Sequence, residues 1–73
     1  YTRGDNMNKQ YSVYDIDWNN NLLITLEGKT FNIDPYDMSV MVGWTPTTPI
    51  KEININGIKY IENLNTGDRV KTI

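Results

Sequence analysis

The sequence predicts a small all-β domain, mainly antiparallel, and three observations carry that expectation. Apolar and polar residues alternate with period two along most of the chain, as half-buried strands require. Turn-forming clusters recur about every 8–12 residues, the rhythm of a small barrel or sandwich. The chain has 73 residues, enough for one core and too few for two. Together these predict about six short strands in an SH3-like or related β-barrel, since closure removes exposed edges.

Gln10–Trp18 is the first strand. Tyr14, Ile16 and Trp18 share one face with Ser12, and Tyr11, Val13, Asp15 and Asp17 share the other. Asn19-Asn20-Asn21 turns the chain, because Asn tolerates the left-handed region and bonds its own backbone. Leu22–Glu27 is apolar on both faces at its start and reads as a central strand. Glu27-Gly28-Lys29 turns again, and Thr30–Ile33 returns with Phe31 and Ile33 inward.

Residues 34–44 fit two patterns. As a short helix at 35–42, Asp34 is the N-cap, Pro35 opens the first turn, Asp37 follows and Gly43 stops it. Met38, Met41 and Val42 then form the buried stripe. As a strand, Met38, Val40, Val42 and Trp44 share a face. The helical pattern is the preferred one, with Trp44 extended after it.

Thr45-Pro46-Thr47-Thr48-Pro49 is an extended connection, since two prolines remove ladder donors. Ile50–Ile55 and Ile58–Ile61 flank Asn56-Gly57, the strongest short hairpin signal in the chain. Asn63–Asp68 is a turn-rich link with Leu64 inward, and Arg69–Ile73 is the last strand. Residues 10–73 therefore read as one domain. Residues 1–9 read as a disordered or vector-derived tail, with Met7-Asn8-Lys9-Gln10 resembling a natural translation start.

The composition excludes most chemistry. There is no cysteine and no histidine, so thiol nucleophiles, disulfide staples and the usual neutral-pH acid–base group are all missing. Carboxylates alone do not suit zinc. No phosphate-cradling glycine loop occurs, and no apolar run reaches the roughly 18 residues of a transmembrane helix. No catalysis, cofactor, metal or membrane anchor is expected.

Net charge is −2, but unevenly spread. Residues 10–50 hold Asp15, Asp17, Glu27, Asp34 and Asp37 against Lys29 alone. Residues 51–73 are slightly basic, with Lys51, Lys59, Arg69 and Lys71 against Glu52, Glu62 and Asp68. Such an acidic bias suits a basic partner better than a nucleic-acid duplex.

Four short motifs weigh little. Asp15-Ile16-Asp17-Trp18-Asn19-Asn20-Asn21 resembles the opening of an EF-hand loop, but the turn glycine is Asn20 and position 12 falls on Leu26. Pro46-Thr47-Thr48-Pro49-Ile50-Lys51 fits a proline-rich ligand pattern that a rigid connection explains equally well. Arg3-Gly4-Asp5 spells an integrin tripeptide inside the tail. Leu64-Asn65-Thr66-Gly67-Asp68-Arg69-Val70, following the Ile58–Ile61 strand, is similar to a stretch of intein and hedgehog-type autoprocessing domains. Their N-terminal nucleophile and histidine are missing at the matching places.

The aromatics remain. Trp18 and Phe31 suit the core; Trp44, beside Gly43 and the proline loop, suits the surface, followed by Tyr36 and Tyr11. The expected function is a non-enzymatic protein-interaction module binding through Trp44, Tyr36, Asp34, Asp37, Asp15 and Asp17. Asn-, Ile- and Lys-rich usage points to an AT-rich genome, so the chain reads as a cytoplasmic accessory factor of a phage or mobile element that inhibits or modulates a bacterial host protein. One alternative is a single-strand nucleic-acid barrel using Lys51, Lys59, Arg69 and Lys71 with Tyr60 as stacking platform. Another is a homo-oligomeric assembly subunit.

Overall fold

The computed structural model describes residues 10–73, so the readings of the tail, of Arg3-Gly4-Asp5 and of a start at Met7 lie outside the described residues. Six strands form one antiparallel sheet: β1 Gln10–Asp17, β2 Leu22–Thr25, β3 Thr30–Asn32, β4 Pro49–Ile55, β5 Ile58–Asn63 and β6 Arg69–Lys71. Their order across the sheet is β3-β2-β1-β4-β5-β6. A 3-10 helix, Pro35–Gly43, connects β3 to β4.

The fold is mainly antiparallel β, as the sequence predicts, but the sheet is not closed. Its edge strands β3 and β6 meet at a single bridge, Ile33 to Thr72. Two backbone bonds flank it, Asp34 N–H to Lys71 O at 2.8 Å and Ile73 N–H to Asn32 O at 2.9 Å. The reason is local: Pro35 comes three residues after β3, just past the Ile33 bridge, and a proline cannot donate to a continuing ladder. A side chain takes over there. The backbone N–H of Lys71 donates to Asp37 Oδ2 at 2.8 Å, tying the helix to β6. Bonds to a charged acceptor contribute about 1.5–3 kcal/mol. Asp37→Ala is therefore expected to lower unfolding free energy by about that amount in a urea titration, with Asp37→Asn losing less because an acceptor oxygen stays.

β1 carries the feature that shapes the surface. Its register against β2 pairs Val13 with Thr25 and then Asp15 with Ile24, leaving Tyr14 as the extra residue of a β-bulge. Before the bulge Tyr11 and Val13 point into the core; after it Ile16 does. Strict alternation puts Tyr14 and Ile16 on one face. The bulge separates them, and Tyr14 and Asp15 are both exposed. Neighbours on either side fix this arrangement: Leu26 N–H donates to Ser12 O, and Thr47 N–H donates to Val13 O at 2.7 Å. Beyond the end of β2, Glu27 Oε1 accepts from Ser12 N–H at 2.9 Å in place of a strand carbonyl.

The β4–β5 hairpin forms where predicted. Asn56 and Gly57 have φ of 53° and 85°, the paired left-handed values of a type I′ turn. The β5–β6 link differs from expectation. Leu64 is exposed rather than inward, and Asn63 is the buried residue. Its Oδ1 accepts from Asn65 N–H at 2.8 Å, so a capping side chain occupies the inward place. Pro49 heads β4, the position in a strand where a missing N–H costs least.

The core lies between the curled sheet and the helix. Leu23, Ile33, Met41, Ile50, Ile61 and Val70 are its most buried members. Tyr11 meets Phe31 edge-on, with ring centroids 5.4 Å apart, a favourable quadrupole geometry.

Candidate functional site

The helix at 35–43 starts as the sequence predicts. Asp34 is its N-cap, with Oδ1 accepting from Tyr36 N–H at 3.0 Å, and Pro35 follows. Its winding differs. A 3-10 helix repeats every three residues, so side chains three apart eclipse. Met38 and Met41 point inward, and Trp44, three residues on, continues that inward row. Tyr36, Ser39 and Val42 form the outward ridge, with Tyr36 92% and Val42 75% exposed. An α-helical stripe puts Val42 in the core; the tighter winding puts it in solvent. Gly43 does not adopt a left-handed conformation, and Trp44 is the extended C-cap residue.

The two tryptophans exchange their expected roles. Trp44 is only 6% exposed and belongs to the core, whereas Trp18 is 50% exposed. Trp18 opens the β1–β2 turn, directly after Asp17. Asp17 Oδ1 accepts from the backbone N–H groups of Asn19 and Asn20 at 3.1 Å each, and Oδ2 accepts from Asn20 Nδ2 at 2.9 Å. The side-chain bond from Asn20, aided by its backbone N–H, holds the Asp17 carboxyl below its ordinary 3.8. A carboxylate with a depressed pKa supports its structure above the unfolded value and loses that support as pH falls through the folded one. The Asn19 and Asn20 amide resonances are therefore expected to titrate in acid with a midpoint below 3.8, and Asp17→Asn should abolish that titration.

Asp17 and Asp15 are thus committed locally, Asp15 Oδ1 accepting from Ile16 N–H at 2.8 Å. Among the described residues no three acidic side chains gather as a metal site, and the EF-hand-like run forms an Asx-type turn instead.

Three segments converge beside this turn. The bulge delivers Tyr14 and Asp15, the turn delivers Trp18, and the helix ridge delivers Val42; Pro46 closes the rim. They enclose a surface depression of about 140 Å³, floored by Val13, Ile16, Met41 and Trp44. Tyr14 is 57% exposed. The indole Nε1–H of Trp44 is shut off from solvent and finds no acceptor among the described residues, a cost of about 1–3 kcal/mol. Along the ridge from Val42, Tyr36 stands about 12 Å away at roughly 2 Å rise per residue.

Of the six residues predicted for a binding surface, Asp15 lines the depression and Trp44 lies beneath it. Tyr36 extends its ridge, and Asp34, Asp37 and Asp17 serve the fold. The sequence pattern does not single out Tyr14, Trp18 and Val42 as a surface. Their exposure depends on a bulge and on a three-residue helical repeat, neither of which leaves a period-two or α-helical signal.

No family model matches this chain, and no curated protein or solved structure matches it either. The site is left to speak through its chemistry.

Charge is the remaining element. Lys51 and Arg69 both pair with Glu62, at 3.7 and 3.4 Å, and Lys59 pairs with Glu52 at 2.8 Å. The Glu52 hydrogen bond and charge raise the Lys59 pKa. Tyr60 is half-buried opposite Lys71. The cations of the C-terminal half are therefore largely satisfied within the sheet. Asp15, Asp17, Glu27, Asp34 and Asp37 enter no ion pair among the described residues. Among those residues, too, no helix is long and apolar enough to cross a membrane.

Proposed function

We propose that this protein is a non-enzymatic protein-interaction module whose contact surface is the depression rimmed by Tyr14, Trp18 and Val42. The observation that carries the reading is their convergence. Two half-exposed aromatics and a solvent-facing valine from separate segments rim one concavity. Large rigid aromatics of this kind dominate binding energy at protein interfaces. The acids of residues 10–50, which enter no ion pair among the described residues, add a preference for a basic partner through steering and complementarity.

The lack of cysteine and histidine supports binding over catalysis. Among the described residues, the pairing of Lys51, Lys59 and Arg69 with Glu62 and Glu52 offsets three of the four cations of residues 51–73, which weakens that half as a track for a phosphate backbone.

Capture from the lysate of a low-GC bacterium, with and without nuclease, tests this. A single stoichiometric protein that survives nuclease is the expected result. Loss of every captured species on nuclease treatment would overturn the reading in favour of nucleic-acid binding.

A further inference from the structure

We infer that the depression receives an extended, proline-containing segment with a basic residue beside the proline. This rests on the reading of the same depression as a protein-binding surface. Volume, lining and charge each narrow the occupant.

The volume is about 140 Å³, close to the roughly 150 Å³ of an engineered cavity that takes a benzene ring. That admits one small ring. It is too little for the row of anchors that an amphipathic helix lays into a groove. The lining is aromatic and apolar at the rim, with Tyr14, Trp18, Val42 and Pro46. Proline-rich segments dock on such surfaces because the polyproline II conformation is pre-formed and loses little entropy on binding. The charge is acidic: Asp15 lines the depression without an ion pair among the described residues, and Asp17 adjoins Trp18. A lysine or arginine next to the proline complements it.

The chain's own Pro46-Thr47-Thr48-Pro49 run does not compete as ligand. Thr48 is buried, Pro49 begins β4, and Pro46 already forms part of the rim.

An array of peptides about ten residues long tests the inference, built on a Pro-x-x-Pro core flanked by Arg, Ala or Glu. Binding is read by Trp18 emission in a Trp44→Phe background and by amide shifts of the ¹⁵N-labelled protein. The Arg-flanked peptides are expected to bind, with shifts centred on Tyr14, Trp18 and Val42. Replacing both prolines with alanine should weaken them roughly tenfold or more, as should Trp18→Ala in the protein. Changing Arg to Glu should cost about threefold or more.

Equal binding by the alanine-core peptides would overturn the proline requirement and leave the depression as a binding surface. So would an inert array alongside a captured protein partner that shields Trp18. Concentration-dependent shifts at these residues without peptide would make a second copy the occupant and overturn the inference. A bound partner that leaves Trp18 unshielded would overturn the underlying surface as well.

Discussion

Trp44→Ala is expected to leave the protein largely unfolded at 25 °C, whereas Trp44→Phe should fold. Trp44 is buried beside Met41 and Val13 under the depression. Truncating a buried tryptophan to alanine removes about 3–5 kcal/mol. A single core in a domain of this size supplies only about 3–5 kcal/mol of net stability. Phenylalanine keeps most of the ring and deletes the Nε1–H that has no acceptor among the described residues. Its lost packing is offset by the removal of a donor buried at a cost of about 1–3 kcal/mol, so the net change should stay within about 1.5 kcal/mol. Urea titrations followed by circular dichroism separate the variants. A Trp44→Ala protein as stable as wild type would place Trp44 at the surface, where sequence reasoning put it.

The opposite behaviour is expected at the rim. Trp18→Ala, combined with Tyr14→Ala, should abolish partner capture while changing stability little. Both residues are half-exposed, and substitutions at such positions away from caps and cores usually change stability by about 0.5 kcal/mol or less. Their loss as interface anchors costs about 2 kcal/mol or more each, and roughly thirtyfold in affinity for one alone. Melting curves beside quantitative capture make the comparison. Binding that survives the double substitution would remove the depression from the account.

How much of this was legible in the sequence depends on the range of the interactions involved. Asn56-Gly57 and Asp34-Pro35 are local devices. A left-handed pair dictates its hairpin, and a side-chain oxygen before a proline dictates a helix start, so both were readable. Glycine at 28 and 67 likewise marks turns at positive φ. The bulge at Tyr14 is different in kind. It is set by partners of β1 far along the chain, Leu26 on one side and Thr47 on the other. Nothing in the alternation of Gln10–Trp18 announces it.

The same distinction explains the helix. Asp34 and Pro35 specify that a helix begins, but not whether it winds every 3.6 or every 3.0 residues. That difference alone moves Val42 from core to surface and sets Trp44 in line with Met38 and Met41. Asn63 shows a third limit. Polar residues are expected outside, yet this one is buried because its side chain satisfies the backbone of the following turn. The sheet stays open between β3 and β6, where Pro35 ends the ladder and the Asp37 carboxylate takes the Lys71 N–H instead. Of the four acids expected at the binding surface, three, Asp34, Asp37 and Asp17, cap and tie the fold instead.

The claim that the depression is a binding surface has one direct test, the shielding of Trp18 in the complex. In a Trp44→Phe background Trp18 is the sole tryptophan, since the chain has two. Its emission can then be quenched with acrylamide before and after the captured partner is added. The account predicts that the partner shifts the emission to the blue and cuts the quenching constant severalfold, as a half-exposed indole becomes buried. An unchanged quenching constant with the partner fully bound would contradict it.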